Sequence, residues 1–150
     1  MARNGVDTFS PSALRRRREL KGLTIGEVAS ISGVSAASLS NWEAGKVIPT
    51  PPNLAAVAHA LGAQVADLAP VPAGLMRMSD LRHHAGLSQE DVAEAIAMSK
   101  ASVTNIESGA TLPNPRALAA LAHAYGVDED TLASTWEATR EARMTRLKAR

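Results

Sequence analysis

The sequence predicts an all-α fold: two small helical domains in tandem, followed by a basic C-terminal helix. Three observations predict it. The chain repeats itself at an offset of 64 residues, so that Leu14–Leu68 lies over Met78–Leu132 without a gap and 21 of those 55 positions are identical. Self-similarity at a fixed period marks a duplicated structural unit, and two copies are too few to stack as a solenoid. The aromatic residues are only Phe9, Trp42, Tyr125 and Trp136, so the cores must be aliphatic helix-on-helix packing. The marks that start and stop helices also recur at the same places in both copies.

An N-terminal arm covers residues 1–13. In the first repeat, 14–68, Leu14–Lys21 reads as a helix ended by Gly22. Thr24 and Glu27 form the S/T-x-x-E box that satisfies free amides at a helix start, which opens a second helix over Ile25–Ser32. Gly33 ends it, as a residue able to take the left-handed conformation. Ser35 caps a third helix, Ala36–Ala44, stopped by Gly45. A loop, Lys46–Pro52, leads to a fourth helix, Asn53–Leu61, stopped at Gly62. A short fifth helix runs near Ala66–Leu68. A linker rich in alanine and proline, 69–77, joins the copies. In the second repeat, 78–132, Gly86 ends helix one, Ser88 and Asp91 form the capping box, Ser99 caps helix three, and Gly109 and Gly126 stop helices three and four. Ala97 stands where the first repeat has the turn glycine Gly33. A non-glycine residue there costs about 1 kcal/mol.

Apolar spacing marks the core faces. The first repeat offers Leu23, Val28, Ile31, Val34, Leu39, Trp42, Leu54, Val57 and Leu61. The second offers Leu87, Val92, Ala95, Met98, Val103, Ile106, Leu118, Leu121 and Tyr125. The tail, 133–150, reads as a helix with Trp136, Met144 and Leu147 on one face and Arg140, Arg143, Arg146, Lys148 and Arg150 around them.

The net charge of +1 conceals a pattern. Residues 1–22 hold six basic and two acidic side chains, residues 133–150 five and two, and the middle, 23–132, five and eleven. Basic ends suggest a polyanion partner, or else a solvated, solubilising surface. The chain has no cysteine, hence neither a disulfide framework nor cysteine-ligated zinc. No apolar run approaches the roughly 18 residues of a membrane span, and the first ten residues lack a hydrophobic signal region. A cytoplasmic protein with no membrane partner is expected. No nucleophile elbow, phosphate-cradling glycine loop or HExxH motif occurs, so no enzyme activity is expected. His83-His84 are neighbours on a helix and point apart, which argues against a metal site. His59 and His123, equivalent in the two repeats, read as packing histidines. No cofactor is expected.

Two short helices joined by a tight turn, the second capped by serine, form a helix-turn-helix candidate. The residues Leu23-Thr24-x-x-Glu27-Val28-Ala29-x-x-x-Gly33-Val34-Ser35-x-x-x-Leu39-Ser40-x-Trp42-Glu43-x-Gly45, then Pro49, resemble the phage-repressor-type helix-turn-helix family, also called the XRE family. The second repeat, from Leu87-Ser88-Gln89-Glu90-Asp91-Val92-Ala93 through Ser99, Asn105, Glu107 and Gly109 to Leu112-Pro113, is closer still. The resemblance covers about 110 of the 150 residues. It implies two tandem five-helix domains, a bacterial or phage transcription regulator such as a repressor, and double-stranded DNA as partner.

The resemblance also implies roles. Ala36, Ala37, Ser40 and Asn41 lie at the start and exposed face of the first recognition helix, and Lys100, Ala101, Thr104 and Asn105 at those of the second. Asparagine pairs with adenine, lysine with guanine, and alanine or a threonine methyl with thymine. Gln89 sits where the family often fixes a phosphate. Arg15, Arg16, Ser35, Ser99 and Lys46 are further candidates for backbone contact. Arg18 with Glu43, and Arg82 with Glu107, resemble structural ion pairs between helices one and three. Two recognition helices in one chain suit neighbouring half-sites, about 34 Å apart for one DNA turn.

The repeats differ in charge. Repeat 1 has six bases and four acids; repeat 2 has three and eight. The first thus has the better field and the blander recognition helix, the second the reverse. An alternative class follows: a protein-binding adaptor, holding a toxin, a polymerase subunit or a phage component through a repeat that no longer reads DNA. Trp136, Met144 and Leu147 either pack back on the protein or serve a homodimer.

Overall fold

The computed structural model describes residues 4–150; the first three residues of the expected N-terminal arm lie outside it. The described residues form ten helices and no strand. They divide into two compact units, Met1–Val71 and Pro72–Arg150.

The first unit contains α1 (Pro11–Leu20), α2 (Ile25–Ser32), α3 (Ala36–Glu43), α4 (Pro51–Ala60) and α5 (Val65–Leu68). Helix α1 starts earlier than the apolar pattern alone indicates, because Ser10 caps it and Pro11 occupies its first turn, where a missing N–H costs nothing. Pro51 does the same for α4. Residues 6–10, before α1, pack onto the domain. Val6 is fully buried, its N–H donates to the Pro49 carbonyl at 2.8 Å, and the Ser10 N–H donates to that of Leu68 at 2.8 Å. Phe9 meets Trp42 edge to face at 6.4 Å.

The second unit contains α6 (Met78–His84), α7 (Gln89–Ile96), α8 (Lys100–Glu107), α9 (Pro115–Tyr125) and α10 (Glu129–Lys148). Here the fifth helix of the repeat and the basic tail are one 20-residue helix. In the first unit Ala69 leaves helical geometry and Pro70 follows, and a proline disfavours the helical conformation in the residue before it. The corresponding residues after Leu132 are Ala133 and Ser134, and the helix runs on. Trp136 therefore faces inward at 4 % exposure, its Nε1 donating to the Ile106 carbonyl at 3.1 Å. This removes it from the face expected to serve a homodimer; Met144 and Leu147 alone remain on the surface.

The cores are aliphatic. Leu14, Val28, Leu39, Leu54, Val57 and Leu68 are completely or almost completely buried in one unit, and Met78, Val92, Val103, Leu121 and Leu132 in the other. Some core expectations fail. Ile31 is 61 % exposed and its counterpart Ala95 is exposed. The inward stripe of α2 runs through Ile25, Val28, Ala29 and Ser32, the i, i+3, i+4, i+7 pattern, and position 31 falls outside it. In α7 the same stripe ends on Ile96, which is buried. His59 and His123 are exposed as well. Leu54, Val57 and Ala58 take the inner face of α4, and Ala117, Leu121, Ala122 and Tyr125 that of α9, which turns both histidines outward. No helix among the described residues is long and apolar enough to cross a membrane.

Candidate nucleic-acid interface

Each unit presents a helix-turn-helix built by local chemistry. At the start of α2 the Thr24 hydroxyl accepts from the Glu27 N–H at 3.1 Å while the Glu27 carboxylate accepts from the Thr24 N–H at 2.9 Å. Ser88 and Asp91 repeat the exchange at α7, at 3.0 and 2.9 Å. Gly33 ends α2 at φ 79°. Ala97 ends α7 at φ 56°, the one non-glycine residue among those described with positive φ, so the second turn keeps its shape at a cost in strain. Ser35 and Ser99 then cap α3 and α8, each hydroxyl accepting from the N–H three residues on at 3.1 Å. These hydroxyls are committed to the cap, which limits what they offer a phosphate.

The exposed faces of α3 and α8 carry the expected side chains. Ala36, Ala37 and Ser40 are exposed on α3 with Asn41 half-buried; on α8 Lys100, Ala101, Thr104 and Asn105 are all exposed. Leu39 and Trp42 point the other way into the core, as do Val103 and Ile106. No hydrogen bond among the described residues engages the side-chain amide of Asn41 or Asn105; their carbonyls instead hold the following turns, accepting from Lys46 N–H and Ala110 N–H at 2.9 and 3.0 Å. Lys46 is exposed directly after α3.

Behind these helices lies an arginine–glutamate lock. In the first unit Arg18 donates through Nε and Nη2 to the two oxygens of Glu43 at 2.7 and 2.9 Å, and through Nη1 to the Leu23 carbonyl at 3.0 Å. In the second, Arg82 does the same to Glu107 at 2.5 and 3.2 Å and to the Leu87 carbonyl at 3.0 Å. The fork geometry of guanidinium on carboxylate ties helix one to helix three and fixes the angle at which the recognition helix leaves the domain. Glu43 is buried, and hydrogen bonds from Arg18 first, then Arg15, hold its carboxyl below the usual range against the opposing effect of burial.

The two locks differ in their third member. Arg15 donates to Glu43 at 3.2 Å. Its counterpart is Ser79, and there Gln89 takes over, donating through Nε2 to Glu107 at 2.9 Å. The first repeat has Ile25 at the Gln89 position. One donor has moved from helix one to helix two, an exchange invisible in either position alone. Gln89 also accepts from the Thr104 hydroxyl at 3.4 Å, so it links the lock to the exposed face of α8. Lys100 is held by Glu90 through Nζ at 2.5 Å, both side chains more than half exposed; this contact is weak in water and exchangeable. Arg16 lies beside Arg15, Pro11 and Ser12 in a shallow cleft.

Two residues that the sequence places in the basic tail but not among the DNA contacts stand near this surface: Arg143 and Arg146, which line one groove with Arg77, Gln89 and Thr104. Their i, i+3 spacing on the tail helix puts them on one face; the groove they join is built by residues distant in the chain.

Comparison with known families agrees with this geometry. Residues 14–68 match a family model described as a helix-turn-helix, and residues 76–135 match a second described as a helix-turn-helix domain. No curated protein sequence and no solved structure gives a match to the chain.

Proposed function

The chain belongs to the helix-turn-helix family through two tandem domains of the phage-repressor type, and from that premise we propose that it is a sequence-specific DNA-binding transcriptional regulator that reads bases with α3 and α8. In a helix-turn-helix the second helix enters the major groove while the first crosses the backbone. The observation that carries the reading is the shared asparagine. Asn41 and Asn105 occupy one position in two diverged recognition helices, and each amide is left unengaged by the protein, ready for bidentate pairing with adenine. Lys100 adds a guanine reader in the second unit once Glu90 releases it. Ala36, Ala37 and Ala101 leave room for thymine methyl groups, and Arg16 and Lys46 supply positive charge for the backbone.

Selection of bound molecules from long randomised duplexes, at low and high salt, tests the proposal. A regulator of this kind enriches a defined motif at both salts, and the motif's spacing reports whether one or both units engage. Salt-sensitive binding without a motif would reduce the protein to a phosphate binder. Absence of binding at both salts would favour the adaptor class instead.

A further inference from the structure

We infer that the C-terminal half of α10 is a clamp for the DNA phosphate backbone, set beside the recognition helix of the second unit. The inference rests on the DNA-binding reading above and adds a surface to it. Helix α10 is anchored where it passes the domain. The Met78 N–H donates to Thr139 Oγ1 at 3.0 Å in a buried setting, and Trp136 is bonded to the end of α8. Gly109, just past α8, lets the two elements touch: a Cβ there would stand 2.9 Å from Arg140 Cα. These contacts hold the following turns against α8. Arg143 and Arg146 then line a groove with Arg77, Gln89, Thr104 and Ser108.

Three arginines, Arg77, Arg143 and Arg146, and one carboxylate line the groove. Its carboxylate, Glu107, already receives Arg82 and Gln89, while among the described residues no carboxylate forms a salt bridge with Arg143 or Arg146. It shares Gln89 and Thr104 with the helix-turn-helix surface, so an anion seated here belongs to the same duplex whose bases α8 faces. The placement also answers the charge problem of the second repeat, with its three bases against eight acids. Phosphate neutralisation supplies most non-specific affinity, and only the acidic unit carries the extension; in the first, the helix stops before Pro70.

The test is fluorescence anisotropy of the full chain on a duplex carrying its selected motif, over a salt series. The test variant is Arg143→Gln/Arg146→Gln. The control is Lys148→Gln/Arg150→Gln, which removes the same charge from the end of the chain outside the groove. A clamp lowers the slope of log affinity on log salt by about 0.9 for each arginine lost. Between roughly 50 and 200 mM salt, wild-type affinity then falls about tenfold further than that of the test variant. The preferred motif stays the same and the control shifts much less. Equal shifts in both variants, or no shift in the test variant, would overturn the clamp while leaving DNA reading intact. A wild-type chain that binds no duplex would remove the DNA reading and the clamp together.

Discussion

Gly45 and Gly109 are equivalent in the two repeats, and the structure makes them unequal. Both end a recognition helix in the left-handed conformation, at φ 74° and 82°. An alanine at either position adds about 1 kcal/mol of backbone strain. A methyl group at position 45 would meet nothing within 4 Å, whereas at position 109 it would fall 2.9 Å from Arg140 Cα, 3.0 Å from Arg140 N and 3.2 Å from the Thr139 carbonyl carbon. Those atoms are backbone, so relief requires α10 to move. Overpacking of this kind costs about 1–3 kcal/mol. Gly45→Ala is therefore expected to cost about 1 kcal/mol and Gly109→Ala about 2–4 kcal/mol. Each unit holds one tryptophan, Trp42 or Trp136, buried in its core. Urea unfolding followed by fluorescence in a Trp42→Phe background reports the second unit, and in a Trp136→Phe background the first. Equal losses for the two alanine variants would refute the close approach of α10 to α8.

Three further outcomes follow from the same geometry. Glu43 has a depressed folded pKa, so its contribution to the first unit is complete above the ordinary carboxylate value near 4.5 and is lost as pH falls through the folded value; the urea midpoint of that unit should decline in acid, and Glu43→Gln should flatten the decline. Ala97→Gly should raise the stability of the second unit by up to about 1 kcal/mol, and Gly33→Ala lower that of the first by a similar amount, both read from denaturant midpoints. Arg82→Met should cost about 3–5 kcal/mol, because it leaves Glu107 largely buried without its cation; Arg15→Met should cost under about 1 kcal/mol, since Arg15 is 56 % exposed and Arg18 still holds Glu43.

The parts of this protein legible in its sequence are those decided by local chemistry. Thr24–Glu27 and Ser88–Asp91 declare helix starts because the cap lies within four residues of chain. Ala97 declares a left-handed turn because its repeat partner is a glycine. The recognition surfaces follow from the Ser35 and Ser99 caps, which set the register of α3 and α8. What stayed hidden depends on partners distant in sequence. For Trp136 the sequence leaves packing and a homodimer contact both open, and the choice falls to packing only because Pro70 stops one helix while Ala133 continues the other. The indole contributed by Trp42 in the first core, where the second has Ile106, returns in the second from α10. His59 and His123 read as packing groups because the helices around them are apolar, yet the inner faces were already filled. Arg143 and Arg146 became part of a site only through a groove whose other wall is more than thirty residues away in the chain.

The most direct test of the central claim is a base-by-base binding profile of the wild type, Asn41→Ala and Asn105→Ala on the selected motif. The account predicts that each variant loses discrimination at a single adenine-containing position, by about 1–3 kcal/mol, at different places in the motif. Profiles unchanged from the wild type in both variants would contradict it.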